Sequence, residues 1–550
     1  MVATSFACDT PLWVTSLVRE HGIHAVWQFW APVIGSALGV VLFSRLWRRM
    51  GVITDLELIE LRYSGPAAAC LRGVTAALVT FILAPLVMAW VVKAMGTIGQ
   101  EIIGISDQYR IVMTVCVVSA AVLICAMSGL YGVVYTDFIQ LIVAAIGTIV
   151  LAVVAVQEVG GITMLTEALS SRKDWAGNSL AIAPTIGTRP GSMSFWNTLV
   201  NFGFLWWIVA QSGGYQAQRI LASKDIREAS RAQLFYTLIY YSVLAWPWII
   251  VALCSILLFP NLTGGTQDAV YPQMLVLLLP LGLRGLVVAA LVAAFISTIS
   301  TLFNWAASYF VYDLYKRFIY RNAADRHYVF VARATTIAVA IGAGLISLYA
   351  DSIQQLLEAY YTIALATSLP AIMRWFWWRL NAAGELAGVI CAWVAAVLML
   401  YFKLFDVPAR EILGLEETAM LSSDYGLLGA RILLVAAVSV AVAIGVSYLT
   451  PATDMTRMKE FLCRAKPFHF GWKPVIDNLG GGYVSGESLS KVLREWIIVS
   501  LCAISLNFAI GLLILGNKAL GALLLVIFVT SLYKTLTCIN RQPSLTLDEN

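Results

Sequence analysis

Charge is scarce in this sequence. Only 12% of its 550 residues are Asp, Glu, Lys or Arg, while 60% are hydrophobic, and a soluble core of that length could not hide so much apolar surface. A water-soluble fold is thereby excluded. Histidine is scarcer still: His21, His24, His327 and His469 are the whole complement, which leaves metal-assisted or histidine-based catalysis little to work with. Nine cysteines stand singly with no disulfide or metal-ligand spacing. The N-terminus lacks a basic region and an A-x-A-like site, so no cleavable signal peptide is expected. The formal charge of +5 is explained by topology rather than by a nucleic-acid partner.

What the chain has in abundance is apolar runs of about 20 residues, each long enough at ~1.5 Å per residue to cross a ~30 Å hydrocarbon slab. After an apolar start at 1–18, complete spans are expected near 25–48, 67–98, 110–129, 133–156, 195–213, 233–259 and 286–312. Six more follow near 330–349, 356–378, 384–401, 430–449, 495–515 and 517–534. The basic residues alternate between loops. Arg45, Arg48, Arg49 and Arg62 follow one span, Arg219, Lys224 and Arg227 another, and Lys316, Arg317 and Arg321 a third. The positive-inside rule puts these loops in the cytoplasm, so the first helix runs outward and the C-terminus is cytoplasmic in a multi-pass inner (plasma) membrane protein. The polar stretch 451–490 reads as a cytoplasmic loop with an amphipathic piece at Met455–Arg464 and a flexible Gly480-Gly481-Gly482 run.

Four places could carry chemistry. Asp9, followed by Thr10-Pro11, puts a carboxylate and a helix breaker in an apolar stretch; either the helix breaks to expose carbonyls for a cation, or Asp9 caps a short helix near a surface. Residues 293–304 cluster Ser297, Thr298, Ser300 and Thr301 at mid-span. Such hydroxyls supply hard oxygen ligands for sodium, or simply bond the carbonyl one turn back. Trp206-Trp207 through Gln211-Ser212-Gly213-Gly214 reads as a discontinuous helix with an aromatic wall, or as an interfacial anchor and hinge. Asp137 could guide a departing cation or cap its helix.

Together these segments resemble the sodium:solute symporter family. Gly129-Leu130-Tyr131-Gly132 with Thr136-Asp137 is similar to the family's Gly-rich Thr-Asp start of core helix 5. Gln218-Arg219-Ile220-Leu221-Ala222 is similar to its Gln-Arg-x-Leu-Ala loop, and Ala294 to Asn304 with Asp313-Leu314-Tyr315-Lys316 to its core helix 8. The resemblance implies an all-α polytopic membrane protein with a five-plus-five inverted-repeat transporter fold. Residues 1–380 would form the transport core and 381–550 about four additional helices. It implies sodium held by the carbonyls of Ala3, Phe6 and Ala294 and the hydroxyls of Ser297 and Thr298. Ser5, Asp9, Thr10, Trp206 and Gln211 would face a small organic solute, and Asp137 the cation's exit. The family also has a helix before core helix 1, so Met1 is expected to be an internal methionine of a truncated first core helix. The function implied is sodium-coupled symport by alternating access. A transporter-like sensor and a membrane enzyme are the alternatives: the short tail after residue 534 has no signalling module, and clustered acid, base or metal-ligand residues are not apparent.

Overall fold

The computed structural model describes residues 1–127, 130–171, 179–182, 203, 206–211, 213–262, 267–402, 425–479, 486 and 488–542. Within them the chain is helical throughout. It begins with α1 (Val2–Ser5), α2 (Asp9–His21), α3 (Ile23–Met50), α4 (Glu57–Arg62), α5 (Gly65–Ile103), α6 (Arg110–Met127) and α7 (Leu130–Glu158). It continues with α8 (Trp207–Ala210), α9 (Tyr215–Leu221), α10 (Ile226–Leu258), α11 (Val270–Leu278), α12 (Leu281–Ile319), α13 (Asp325–Tyr349) and α14 (Ile353–Phe376). The last elements are α15 (Ala382–Tyr401), α16 (Tyr425–Leu449), α17 (Met455–Ala465), α18 (Leu489–Leu515) and α19 (Lys518–Asn540). Eleven helices among the described residues are long and apolar enough to cross a bilayer. Apolar side chains also cover much of the outside, as lipid contact requires: Phe138, Ile341, Val526 and many others are more than half exposed.

Two interruptions organise the bundle. The first separates α1 from α2 at Phe6–Cys8. Pro11 has no N–H to give the Ala7 carbonyl and is tolerated only in the first turn of a new helix, so the sequence fixes a fresh start at Asp9. The second separates α8 from α9, where Gly214 takes φ +64°. A Cβ there would lie 3.1 Å from the Trp305 ring, so both the backbone angle and the space demand glycine. Broken helices open each of two five-helix sets, α1/α2 through α7 and α8/α9 through α14, the order expected of an inverted-repeat transporter.

Buried arginines tie the helices together by donating to carbonyls that the helix ends leave free. Arg19, at the end of α2, reaches the Ser255 carbonyl at 2.6 Å and that of Phe259 at 2.9 Å, both at the end of α10. Arg62, fully buried, donates to the carbonyls of Arg374, Trp377, Trp378 and Leu380, which end α14.

The amphipathic piece expected at Met455–Arg464 within 451–490 is the helix α17, and the segment around it packs on the core. Asp454 caps α17 through the Arg457 N–H, and the helix buries Met458, Phe461 and Leu462. Trp472 is fully buried, and the Arg62 guanidinium lies 4.7 Å from its ring and 5.6 Å from that of Phe461. The segment is polar in composition because one face is wet, yet its aromatics desolvate a cation of the core. Gly480–Gly482 lies outside the described residues. Trp472→Ala is expected to remove about 3–5 kcal/mol of stability, read as a fall of several degrees in the apparent Tm of the detergent-solubilised protein. Phe470→Ala, at a side chain 80% exposed, should leave Tm unchanged; equal effects of the two would show that the segment is not docked through Trp472.

Candidate functional site

A cavity of about 170 Å³ lies among the broken helices, several times the ~30 Å³ one water occupies in the liquid. It draws on α2, α3, α5, α9, α10, α12 and α14, with Ser5 contributed by α1 and Val209 by α8. Of the residues singled out in the sequence, Ser5, Asp9, Thr10 and Thr298 meet here. Ser297 is buried one residue before Thr298, and Ala294 one turn earlier. The short α1, which contains Ala3, packs against α12, so the break after Ser5 and the hydroxyl cluster of α12 are neighbours. The Phe6 ring turns away and stacks on Trp248 at 5.7 Å.

The four hydroxyls of α12 separate by environment. Ser300 donates to the Ser297 carbonyl at 3.0 Å, the back-bonding common in apolar helices. Thr301 accepts from Arg219 at 3.1 Å. Ser297 Oγ is buried without a hydrogen-bond partner, and Thr298 lines the cavity. Asp9 is similar: its Oδ1 is buried with no partner while the side chain lines the cavity. A buried carboxylate oxygen without a donor is costly, and here it adjoins space that a donor could occupy.

Much of the remaining lining is aromatic, which was not evident from the sequence. Tyr236, Tyr240 and Tyr241 come from α10, Tyr360 and Tyr361 from α14, and Trp90 from α5. A π-helical turn at Ile239–Val243 brings the consecutive Tyr240 and Tyr241 to the same cavity. Their hydroxyls are mutually satisfied: Tyr236 bonds Tyr241 at 3.1 Å and Tyr240 bonds Thr10 at 3.4 Å. The available signal was the pair of Tyr-Tyr doublets inside otherwise apolar runs.

Two expected solute contacts lie elsewhere. The Trp206 ring packs on Trp496 of α18 at 5.3 Å and does not line the cavity, while the Trp206 carbonyl sits against Gly35 of α3. Gln211 sits at the end of α8, where its carbonyl accepts from Trp47 at 2.6 Å, and it is absent from the cavity lining. This side of the cavity comes instead from Val209 of α8 and from Tyr215 and Gln216 of α9. The Asp137 side chain lies outside the described residues.

Towards the arginine-rich end of the bundle the cavity is closed in layers. Trp305, which lines it, meets Tyr309 at 5.5 Å, and Tyr309 donates to Asp55, whose other oxygen accepts from the Gly214 N–H at 2.7 Å. Beyond lies an ion-pair network: Arg72 donates to Asp313 at 2.8 Å and to Glu60 at 2.6 Å, and Arg317 reaches Glu60 at 2.9 Å. Burial pushes the Glu60 carboxyl upward, but hydrogen bonds from Arg317 and Arg72 outweigh it and hold the group below its ordinary range. The connection between α3 and α5 is thereby fastened to the break between α8 and α9 and to the end of α12.

Comparison with known proteins gives this arrangement a context. The model of the sodium:solute symporter family matches residues 10–392. A Vibrio parahaemolyticus protein named sodium/glucose cotransporter is 25% identical over 429 residues, covering 74% of this chain and 77% of that relative. The human sodium/myo-inositol cotransporter is 24% identical over 472 residues, and the match covers 72% of this chain and 61% of that protein. Among solved structures, a Na+-coupled sialic acid symporter in a substrate-bound outward-open state aligns with a TM-score of 0.61 at 18% identity, over 82% of this chain and 89% of that one. These relatives are carriers and not enzymes, and a family match spanning so much of a broken-helix bundle makes this chain a member of the sodium:solute symporter family.

Proposed function

We propose that the chain imports a small organic solute together with sodium by alternating access across the plasma (inner) membrane, with its arginine-rich loops and C-terminus in the cytoplasm. The carrying observation is the packing of the broken first helix against α12 beside two orphaned buried oxygens, Ser297 Oγ and Asp9 Oδ1. Sodium would rest on the carbonyls of Ala3, Phe6 and Ala294 and the hydroxyls of Ser297 and Thr298, all hard oxygens without net charge. Asp9 would take hydrogen-bond donors of the solute, with Ser5 and Thr10 beside it and the tyrosine and tryptophan rings against its apolar face. Relatives named for glucose and myo-inositol make hydroxylated rings the first class to screen. Residues 1–380 would carry transport, and the helices beyond them would surround that core.

Sodium contributes by occupying one arrangement of helices more tightly than the other. One sodium descending 100 mV supplies ~2.3 kcal/mol, enough for roughly 45-fold accumulation before its concentration gradient is counted. Release would require the Tyr309–Asp55–Gly214 layer to part, with Asp137 on the cation's way out.

Three measurements in proteoliposomes test this. The Ser297→Ala/Thr298→Ala pair should raise the half-saturating sodium concentration about tenfold or more, each lost oxygen contact being worth ~1 kcal/mol; unchanged sodium dependence would remove the proposed ion site. Asp9→Asn should raise KM for the transported solute by about ten- to a hundredfold, the range for hydrogen bonds to a charged group. A KM within twofold of the parent would leave Asp9 without a solute role. Asp55→Asn weakens the basic-end closure, so sodium-independent solute leak should rise and accumulation fall; a tight, fully accumulating variant would show that this layer is not a gate.

A further inference from the structure

The solute cavity holds an acid that the protein leaves unfinished. Asp9 is only 5% exposed, its Oδ1 has no hydrogen-bond partner, and its side chain lines the cavity. The helix start does not use it either, since no side chain caps α2. An ionised carboxylate taken out of water is expensive until a cation or several donors meet it. With sodium resting on uncharged oxygens, as argued above, this one is left to the solute.

Ring pairs from three pairs of helices line the same cavity. Phe29 of α3 meets Tyr240 of α10 at 5.1 Å, Trp90 of α5 meets Tyr360 of α14 at 5.4 Å, and Tyr215 of α9 meets Trp305 of α12 at 6.3 Å. The first pair stands beside the acid, because the Tyr240 hydroxyl lies 3.4 Å from that of Thr10, the next residue along the chain. The polar atoms of this wall are largely spent on one another: Tyr236 bonds Tyr241 at 3.1 Å, and Gln216 donates to Tyr236 at 3.4 Å. A polyol needs donors and acceptors on several sides, because each of its hydroxyls can give one hydrogen bond and accept two. An ammonium ion needs an anion and aromatic rings, and desolvation strengthens its attraction to both.

We infer that the solute is a small organic ammonium ion, with an N–H on Asp9 Oδ1 and its carbon body against the surrounding rings. The inference rests on the assignment of this cavity to the solute and adds the charge of what the cavity takes. The test uses the full-length chain in neutral detergent with sodium present, and follows thermal unfolding while matched probes are titrated in. Cyclohexylamine is paired with cyclohexanol and ethanolamine with ethylene glycol, so that within each pair an ammonium, protonated at neutral pH as alkylamines are, replaces a hydroxyl. Glucose and myo-inositol complete the panel. At least one ammonium should half-saturate its Tm shift at a concentration about thirtyfold or more below that of its hydroxyl partner, and below those of glucose and myo-inositol. Asp9→Asn should lower that ratio about tenfold or more. Asp325→Asn, which removes an exposed charge at the start of α13, should keep the ratio of the parent.

Tighter binding of glucose or myo-inositol than of either ammonium would overturn the inference while leaving the cavity as the solute site. A ratio unchanged in Asp9→Asn, or no shift with either ammonium while sodium alone stabilises the chain, would overturn it as well. An ammonium preference without any effect of sodium would strike the ion site and support this inference. Should Asp9→Asn fail to fold, the parent decides: displacement of one ammonium by the other with the preference intact supports the assignment, and equal affinities within each pair refute it.

Discussion

Everything in this molecule follows from a helix that stops where lipid forbids it to stop. In hydrocarbon each backbone N–H and C=O must be satisfied by protein, so an interruption at Phe6–Cys8 survives only inside a shell of other helices. The shell is visible: α10, α12 and α14 close around the break, Phe6 stacks on Trp248, and Cys8 and Val14 are fully buried. The second interruption, at Gly214, is held in the same way by Trp305 and by the Asp55 carboxylate. Polar backbone is concentrated where the two breaks meet, and a cavity there is a consequence rather than an accident.

The structure handles its remaining polar groups by two different devices. Cations that end up buried, such as Arg19 and Arg62, are surrounded by carbonyls and aromatic faces, so their charge is solvated by dipoles that helix ends supply anyway. The acids near the basic end are matched by arginine, as Asp313 is by Arg72. Asp9 receives neither treatment, and neither does Ser297 Oγ. Asp313 Oδ2, Arg48 Nε and Arg62 Nη1 are also buried without partners, but Asp9 lines the cavity and Ser297 adjoins Thr298 in its wall, where there is room for something other than protein to complete the bonding.

Much of the fold was legible because lipid simplifies the code. Runs of apolar residues marked the spans, Thr10-Pro11 marked the first break and Gly213-Gly214 the second. The hydroxyl cluster of α12 was legible as a set, but which of its members would be spent on their own helix was not. Ser300 and Ser297 look alike in one dimension, and only packing decides that the first bonds backward while the second does not. Tyr240, Tyr241, Tyr360 and Tyr361 do not stand out in the sequence, because aromatics in apolar runs are usually core. The π-helical turn that brings Tyr240 and Tyr241 together has no sequence signature of its own. Trp206 was misplaced for the converse reason, since an aromatic at a span end can face a solute or another helix, and here Trp496 takes it.

The central claim is that the broken first helix and α12 together hold a sodium ion. Trp13, Trp90 and Trp305 all line the adjoining cavity, so tryptophan emission of the purified chain reports on that region. Titration at constant ionic strength should give a saturable change with sodium and none with potassium. Indistinguishable curves for the two ions would contradict the account.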